Sequence, residues 1–445
     1  METVEFSSDY GKIRGVVSDR DPDVVIFKGI RYARAQRFSY PKRIDHSESE
    51  DVYDATSFGA ACYQRRAFFD ESAEPENSSN YFYWKEFRRG DSFTYSDDCL
   101  FMNLWIPRHA LENPKEAKLP VLFWIYGGAF TDGCGYEKPM RGEAWCKRDV
   151  ILVTFNYRVG PFGFCCLPQL KAEKGFCGNY GLFDQLTALQ WVWRNIESFG
   201  GNPLAITLMG QSAGALSIQQ MIGSPLTRGL YAGTISMSLG GASRVFDTGS
   251  RTPEDNYPFW QEMMSRLSLT TVDQLRQVDP KRIVDAFLQT QRARKDSTPV
   301  MMPVRDGRLV THSTVEVQNK HLEHRLPFLI SSTKNDLAAP VLRNVAAKWC
   351  RIENGRDVPA YRAYFTRQLP GDHHGAFHSS DLWYVFGTLA ECWRPFTDAD
   401  YELSNRMMDY LSQFVKNQDP NAEGLPVWRR GTKKSRYMRF DVEEI

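Results

Sequence analysis

Gly210, Gln211, Ser212, Ala213 and Gly214 set a serine between two glycines, directly after the apolar run Ala205 to Met209 and before a helix-compatible stretch reaching Gln220. In that context the glycines permit a tight strand-to-helix turn, which lifts the serine hydroxyl above a sheet edge. The amide of Ala213 then opens a helix, where unpaired N–H groups and the helix dipole can stabilise a developing oxyanion. A serine hydroxyl is a poor nucleophile until a base takes its proton. The chemistry therefore demands a histidine, and a carboxylate that fixes the histidine's tautomer. On such a turn the acid and then the base follow the serine in the chain. His46 and His109 precede it, and His312, His321 and His324 precede the strand that would carry the acid, which leaves His373, His374 and His378. Asp336 stands just beyond the strand candidate Pro327 to Ser332, where a sheet edge presents it. Further oxyanion donors are available from Gly127, Gly128 and Ala129, where another apolar run ends and paired glycines keep Cβ atoms out of the way.

These groups need a frame that holds them at one edge. Leu119 to Tyr126 and Val150 to Phe155 are continuous apolar runs, as expected of parallel strands covered on both faces. Asn179 to Glu197 repeats apolar residues at Leu182, Leu186, Leu189, Val192, Trp193 and Ile196, which is the pattern of an amphipathic helix. Strands alternating with helices predict a largely parallel α/β sheet. Shorter strands are expected over Thr3 to Phe6, Gly11 to Val17 and Val24 to Ile30. Residues 62 to 98, with the run Asn80 to Trp84, read as a long ordered loop. Residues 251 to 325 read as a helical insertion, with helices over Phe259 to Leu267, Val272 to Val278 and Ile283 to Leu288, and a final helix is expected over Asp398 to Phe414. Neither repeats nor a strong linker divide the chain, so residues 1 to 445 are read as one domain.

Composition narrows the function. The 445 residues carry 55 Lys+Arg against 54 Asp+Glu, which argues against a nucleic-acid or polyanion partner. No apolar stretch approaches the roughly 20 residues of a membrane span. The N-terminus lacks the features of a secretory signal, and nine scattered cysteines suit reduced thiols, so a cytoplasmic location is expected.

Longer segments point to a family. They are Phe27 to Ala33, Asp97 to Leu104, Asn156 to Gly160, Gly178 to Gln185, Phe199 to Pro203, Gly210 to Gly214, Pro303 to Gly307, Thr333 to Asp336, and Phe377 to Leu382 with Tyr384 to Gly387. Together, and in this order, they resemble the type-B carboxylesterase family, the α/β-hydrolases that include carboxylesterases and cholinesterases. The resemblance implies an α/β-hydrolase fold and a serine carboxylic-ester hydrolase that works through an acyl-enzyme on a small-molecule ester. It implies Ser212 as nucleophile, Asp336 as acid and His378 as base, so choosing among the three histidines. It places the oxyanion donors at the amides of Gly128, Ala129 and Ala213, with Gly127 and Gln211 facing the substrate, and it implies no cofactor.

The chain departs from the family at three points. Gln211 stands where a glutamate is usual, which removes a negative charge beside the site and points to small neutral esters. Asp336 replaces the usual glutamate and is one methylene shorter, with Asp372 and Asp381 as fallback acids. The span from Asp336 to His378 is short, so the helical cap is expected to be reduced. In secreted relatives the cysteines matching Cys62 and Cys99 are bonded, whereas here they are read as thiols.

Two alternatives share the fold: a non-catalytic binding protein, and an amide or lactam hydrolase using the same triad. The first is disfavoured because Ser212 and His378 are both present. His321 and His324, and Asp372 to His374, specify no complete metal site. The basic stretch Arg429, Arg430, Lys433, Lys434, Arg436 and Arg439 reads as a solvated surface, and the sequon at Asn77 carries no meaning in a cytoplasmic chain.

Overall fold

The two long apolar runs lie at the centre of a twelve-stranded sheet. The computed structural model describes residues 2–46, 51–70, 73–74, 78–294, 300–432 and 437–442. Asn77 of the sequon and the basic residues Lys433, Lys434 and Arg436 lie outside them. In chain order the strands are β1 (Thr3–Ser8), β2 (Gly11–Val17), β3 (Val24–Arg31), β4 (Phe101–Pro107), β5 (Leu119–Ile125), β6 (Ile151–Phe155), β7 (Gly201–Gln211), β8 (Gly233–Met237), β9 (Phe328–Thr333), β10 (Ala360–Phe365) and β11 (Met438–Phe440). The short strand Tyr53–Asp54 pairs beside β2. Across the sheet the order is β1-β2-β3-β4-β6-β5-β7-β8-β9-β10-β11. Pairing is antiparallel from β1 to β6 and parallel from β6 onward. Val121 to Ile125 and Ile151 to Val153 are wholly buried, as central parallel strands with both faces covered must be.

The principal helices are α1 (Ser78–Phe87), α2 (Tyr180–Asn195), α3 (Ala213–Met221), α4 (Pro253–Arg266), α5 (Val272–Gln277), α6 (Pro280–Ala293), α7 (Thr314–Lys320), α8 (Ala339–Gly355) and α9 (Asp398–Asn417). Helix α2 buries Leu182, Leu186, Leu189 and Val192, whereas Trp193, counted in the same stripe, lies one position past Val192 and is turned out to solvent. Gly200, at φ 86°, then turns the chain into β7. A buried ion pair fixes α2 from below: Arg158 donates to both oxygens of Asp184, at 2.8 and 2.7 Å. Asn179 ties the segment carrying α4 to α7 to the start of α2, donating to Val304 O at 2.6 Å and accepting from Val304 N at 2.9 Å.

Two regions differ from expectation. Helix α4 begins at Pro253 rather than Phe259, because Thr252 and Asp255 form a capping box and the proline occupies the first turn. Residues 62 to 98 are not a continuous loop: they contain the 3-10 turn Arg65–Phe68 and helix α1. Trp84 and Phe87 are buried on one side of α1. Between Asp336 and His378 the chain forms only α8 and β10 as regular elements, so little stands over the sheet's carboxyl edge there.

All nine cysteines are free thiols. Cys62 and Cys99 are in contact, and that contact together with burial pushes the Cys99 thiol well up. No helix among the described residues is long and apolar enough to cross a membrane.

Candidate active site

The turn at Ser212 is forced by its neighbours. Ser212 adopts φ 56°, ψ −122°, between the end of β7 and the start of α3. A non-glycine residue held there stores about 1–3 kcal/mol. The glycines on either side make the turn possible. A Cβ on Gly214 would lie 2.0 Å from Ile125 O, and one on Gly210 would lie 2.7 Å from the Gly214 carbonyl carbon. The Ser212 amide is spent on Met237 O at 2.9 Å, which pins the turn to β8. The next amide, that of Ala213, opens α3.

The second glycine element approaches the same point. A Cβ on Gly127 would sit 2.8 Å from Gln211 O and 3.0 Å from Ser212 Cβ, so only a glycine lets this strand end lie against the serine. Gly128, Ala129 and Phe130 all have positive φ (100°, 54° and 62°). The turn closes by hydrogen bonds from Thr131 N and Asp132 N to Gly128 O, at 2.9 and 3.1 Å. Among the described residues, no hydrogen bond within the protein occupies the amides of Gly128, Ala129 and Ala213.

His378 Nδ1 lies 2.6 Å from Asp336 Oδ1. The shorter aspartate reaches because its neighbour draws two loops together. Asn335 N donates to Ala376 O at 2.9 Å and Asn335 Oδ1 accepts from Ala376 N at 3.0 Å, so the loop after β9 is stitched to the loop carrying His378. The Asp336 side chain is wholly buried and also accepts from Thr333 N at 3.1 Å and Leu337 N at 2.9 Å. Burial alone would push its carboxyl up, but His378 and then the Thr333 amide hold it below the ordinary value.

The fallback acids are engaged elsewhere. Asp372 pairs with Arg394 at 2.7 Å; against the upward push of burial, that bond and the His374 amide hold its carboxyl down at about 2. Asp381 is buried, its Oδ1 has no hydrogen-bond partner, and burial followed by the nearby Asp336 pushes its carboxyl up to about 7. His374 is exposed and pairs with Asp372. His321 is exposed, while His324 is buried against Tyr231 and Ser224 O. Among the described residues no group of three His, Cys, Asp or Glu side chains is gathered to hold a metal ion.

One contact was not legible in the chain. Gln211 Nε2 donates to Ser379 Oγ at 2.9 Å and lies 3.3 Å from His378 Nε2. With Nδ1–H given to Asp336, Nε2 is the acceptor. The neutral Gln211 amide thus favours the tautomer that keeps a lone pair toward the cavity. Ser212 Oγ shares that cavity but makes no hydrogen bond to His378.

Ser212, His378, Gly127, Gly128, Ala129 and Gln211 all line one cavity of about 380 Å³. Tyr83 and Phe87 of α1 form part of its outer wall.

The sequence profile of the carboxylesterase family matches residues 2–364 and 339–445. The para-nitrobenzyl esterase of Bacillus subtilis (strain 168) is 27% identical over 98% of this chain and 95% of its own length. The fumonisin B1 esterase of Sphingopyxis macrogoltabida is 30% identical over 75% of this chain and 56% of its own. Among solved structures, a PNB esterase superposes with a TM-score of 0.83 at 25% identity, covering 99% of this chain and 96% of the other. The carboxylesterase Est55 of Geobacillus stearothermophilus does so with a TM-score of 0.76, at 25% identity over 98% and 96%. This α/β-hydrolase chain therefore belongs to the carboxylesterase family.

Proposed function

We propose that this carboxylesterase hydrolyses small esters through an acyl-enzyme on Ser212, with His378 as the base and Asp336 as the acid that orients it. The observation that carries the reading is the 2.6 Å contact from the Nδ1 of His378, which lines the same cavity as the strained Ser212, to the wholly buried side chain of Asp336. Ser212 Oγ attacks the ester carbonyl as His378 Nε2 takes its proton, displacing the Gln211 amide from that nitrogen. The amides of Gly128, Ala129 and Ala213 stabilise the oxyanion. His378 then gives the proton to the departing alcohol, and water activated by the same base releases the acid. With Gln211 uncharged, the residue beside the nucleophile offers nothing to a cationic ester.

The whole chain acts here as one domain, with residues 251 to 325 as a helical insertion beside the sheet. A cytoplasmic location belongs to the same reading and is supported by the nine free thiols. Replacing Ser212 by Ala is expected to lower kcat/KM for a small aryl ester by roughly 10³-fold or more. It should also abolish labelling by a fluorophosphonate probe. Unreduced turnover in that variant would refute the assignment.

A further inference from the structure

The oxyanion loop has to hold an uncommon shape. Gly128, Ala129 and Phe130 carry positive φ in succession, and two of the three are not glycine. Conformations of that kind persist only where the surroundings over-determine them. Support comes from the segment Asn156 to Gly160, which follows β6 and takes hold of the loop at three points. Gly160 N donates to Phe130 O at 2.7 Å, and Asn156 Oδ1 accepts from Gly135 N at 2.9 Å. The third hold lies nearest the reacting atoms: the Tyr157 hydroxyl donates to Tyr126 O at 2.9 Å. That oxygen belongs to the Tyr126–Gly127 peptide, and a planar peptide fixed at its oxygen is fixed at its nitrogen as well. Gly127 passes this orientation to the Gly128 amide one residue on.

The supporting segment is itself anchored. Arg158 N donates to Asp184 Oδ2 at 3.0 Å, beside the guanidinium's own pair with that carboxylate, so the residue after Tyr157 is tied to α2. The two tyrosines also clasp each other. Their rings stack 4.3 Å apart with 19° between planes, and the Tyr126 hydroxyl donates back to Tyr157 O at 3.0 Å. Both side chains are buried, and burial pushes both phenols up, so each hydroxyl keeps the proton that it donates. The loop returns across the Tyr126 ring, where a Cβ on Gly133 would come within 2.7 Å of it. The two bonds of the clasp are alike in length and burial but differ in target. One ends on the peptide that leads into the oxyanion loop, the other on the supporting segment.

We infer that Tyr157 is a positioning residue for the oxyanion hole: through Tyr126 O it sets the Tyr126–Gly127 peptide, and with it the aim of the Gly128 and Ala129 amides. This role rests on the ester-hydrolase reading, in which those amides hold the oxygen that becomes negative. Such donors matter more in the transition state than in the ground state. Loss of the Tyr157 hydroxyl should therefore lower kcat and spare KM.

Tyr157→Phe keeps the ring and removes the donor. With a small aryl ester its kcat should fall roughly 10- to 100-fold, as for oxyanion donors that are displaced rather than deleted, with KM little changed. A trifluoromethyl ketone, which Ser212 binds as a tetrahedral oxyanion, should lose affinity by the same factor as kcat/KM. The matching secondary alcohol, a competitor without that charge, should bind as before. Tyr126→Phe removes the bond that ends on the supporting segment. It should lower the melting temperature at least as much, because the Tyr126 hydroxyl also accepts from Tyr157 N at 3.3 Å, yet cost less in kcat. Placing 4-aminophenylalanine at position 157, a weaker donor on the same ring, should recover part of the loss.

An unchanged kcat in Tyr157→Phe overturns the inference. Equal weakening of the ketone and the alcohol does so too, as does a loss of kcat no greater than that in Tyr126→Phe. If Tyr157→Phe fails to fold, the 4-aminophenylalanine variant decides by the same split between ketone and alcohol. Full activity in Tyr157→Phe beside an inactive Ser212→Ala would sink this inference and leave the hydrolase standing. A wild type that neither turns over esters nor takes the fluorophosphonate probe would sink both.

Discussion

The floor of the cavity and its outer wall are built by opposite means. The floor is backbone-defined: Gly210 and Gly214 are required by approaches no Cβ could make, Gly127 is packed against Ser212, and Asn335 stitches the Asp336 loop to the His378 loop. The wall is side-chain-defined. Helix α1 and the Arg65–Phe68 turn are held by Glu86, Gln64 and aromatic packing, including Phe82 against Phe377 at 4.8 Å. A floor of this kind permits one geometry and hence one chemistry. A wall of this kind can exchange side chains without moving the reacting atoms, so it is where substrate preference can reside.

The largest effect should come from the floor. Asp336→Asn keeps the size of the side chain but replaces the acceptor of His378 Nδ1–H with a group that can also donate, so the wrong tautomer becomes accessible. A fall in kcat of roughly 10³- to 10⁴-fold is expected, with KM little altered and the fold intact by circular dichroism. A variant that retained most of its kcat would mean that Asp336 does not orient the base and that the floor does not dictate the chemistry.

The wall should respond differently. Glu86→Ala removes the carboxylate on which Arg394, Trp383 and Trp393 converge, leaving the buried guanidinium with Asp372 as its remaining carboxylate. Breaking a buried pair by deleting one partner costs about 3–5 kcal/mol when the other charge is left alone, a ceiling here because Asp372 still pairs with Arg394. Thermal unfolding should therefore fall by many degrees, while at temperatures where the variant is folded KM rises more than kcat drops. Glu86→Gln, which keeps acceptor capacity, should recover part of the loss. If Glu86→Ala instead lowered kcat as Asp336→Asn does, with KM unchanged, the division between floor and wall would be wrong.

The same division explains what the chain's own pattern could reveal. The floor was largely legible because steric necessity writes itself as glycine at fixed spacing. Gly210 to Gly214 and Gly127 to Ala129 could be placed at strand ends from apolar runs alone. The central strands and α2 were legible for a related reason, since burial on both faces or along one stripe leaves a period in the sequence. The choice of His378 over His373 and His374 was not local, and it needed the family resemblance. Helix α1 was missed because Tyr81 to Trp84 is aromatic on every face, which hides the spacing of Trp84 and Phe87 that the packing selects. The start of α4 was in view as Thr252, Pro253 and Asp255, a capping pattern that the charge-rich surroundings obscured. The Gln211 contact with Ser379 and the Asn335 bridge to Ala376 have no local signal, because each joins segments that only the sheet brings together.

The smallest expected effect tests the second carboxyl of the floor. Asp381 is buried beside Asp336 with one oxygen unpartnered, and its carboxyl is pushed up to about 7 by burial and then by the Asp336 charge. Its folded-state value therefore lies above the unfolded one, the reverse of Asp336. A raised acid costs nothing while both states are protonated. It costs progressively more as pH climbs from the ordinary aspartate value near 3.8 through about 7, and the cost then levels off. The size of the shift sets a ceiling of about 4 kcal/mol, which relaxation of the site reduces. Asp381→Asn carries no such penalty. Its melting temperature should match the wild type below pH 4, rise relative to it between pH 4 and 7, and stay several degrees above it at pH 8. Asp336 contributes with the opposite sign, so its share of stability is lost only as pH falls below the ordinary carboxylate range, and it cannot produce a difference that opens upward. A difference between variant and wild type that stays flat from pH 4 to 8 would show that Asp381 is ionised at no cost. The floor would then hold two carboxylates rather than a carboxylate and a carboxylic acid.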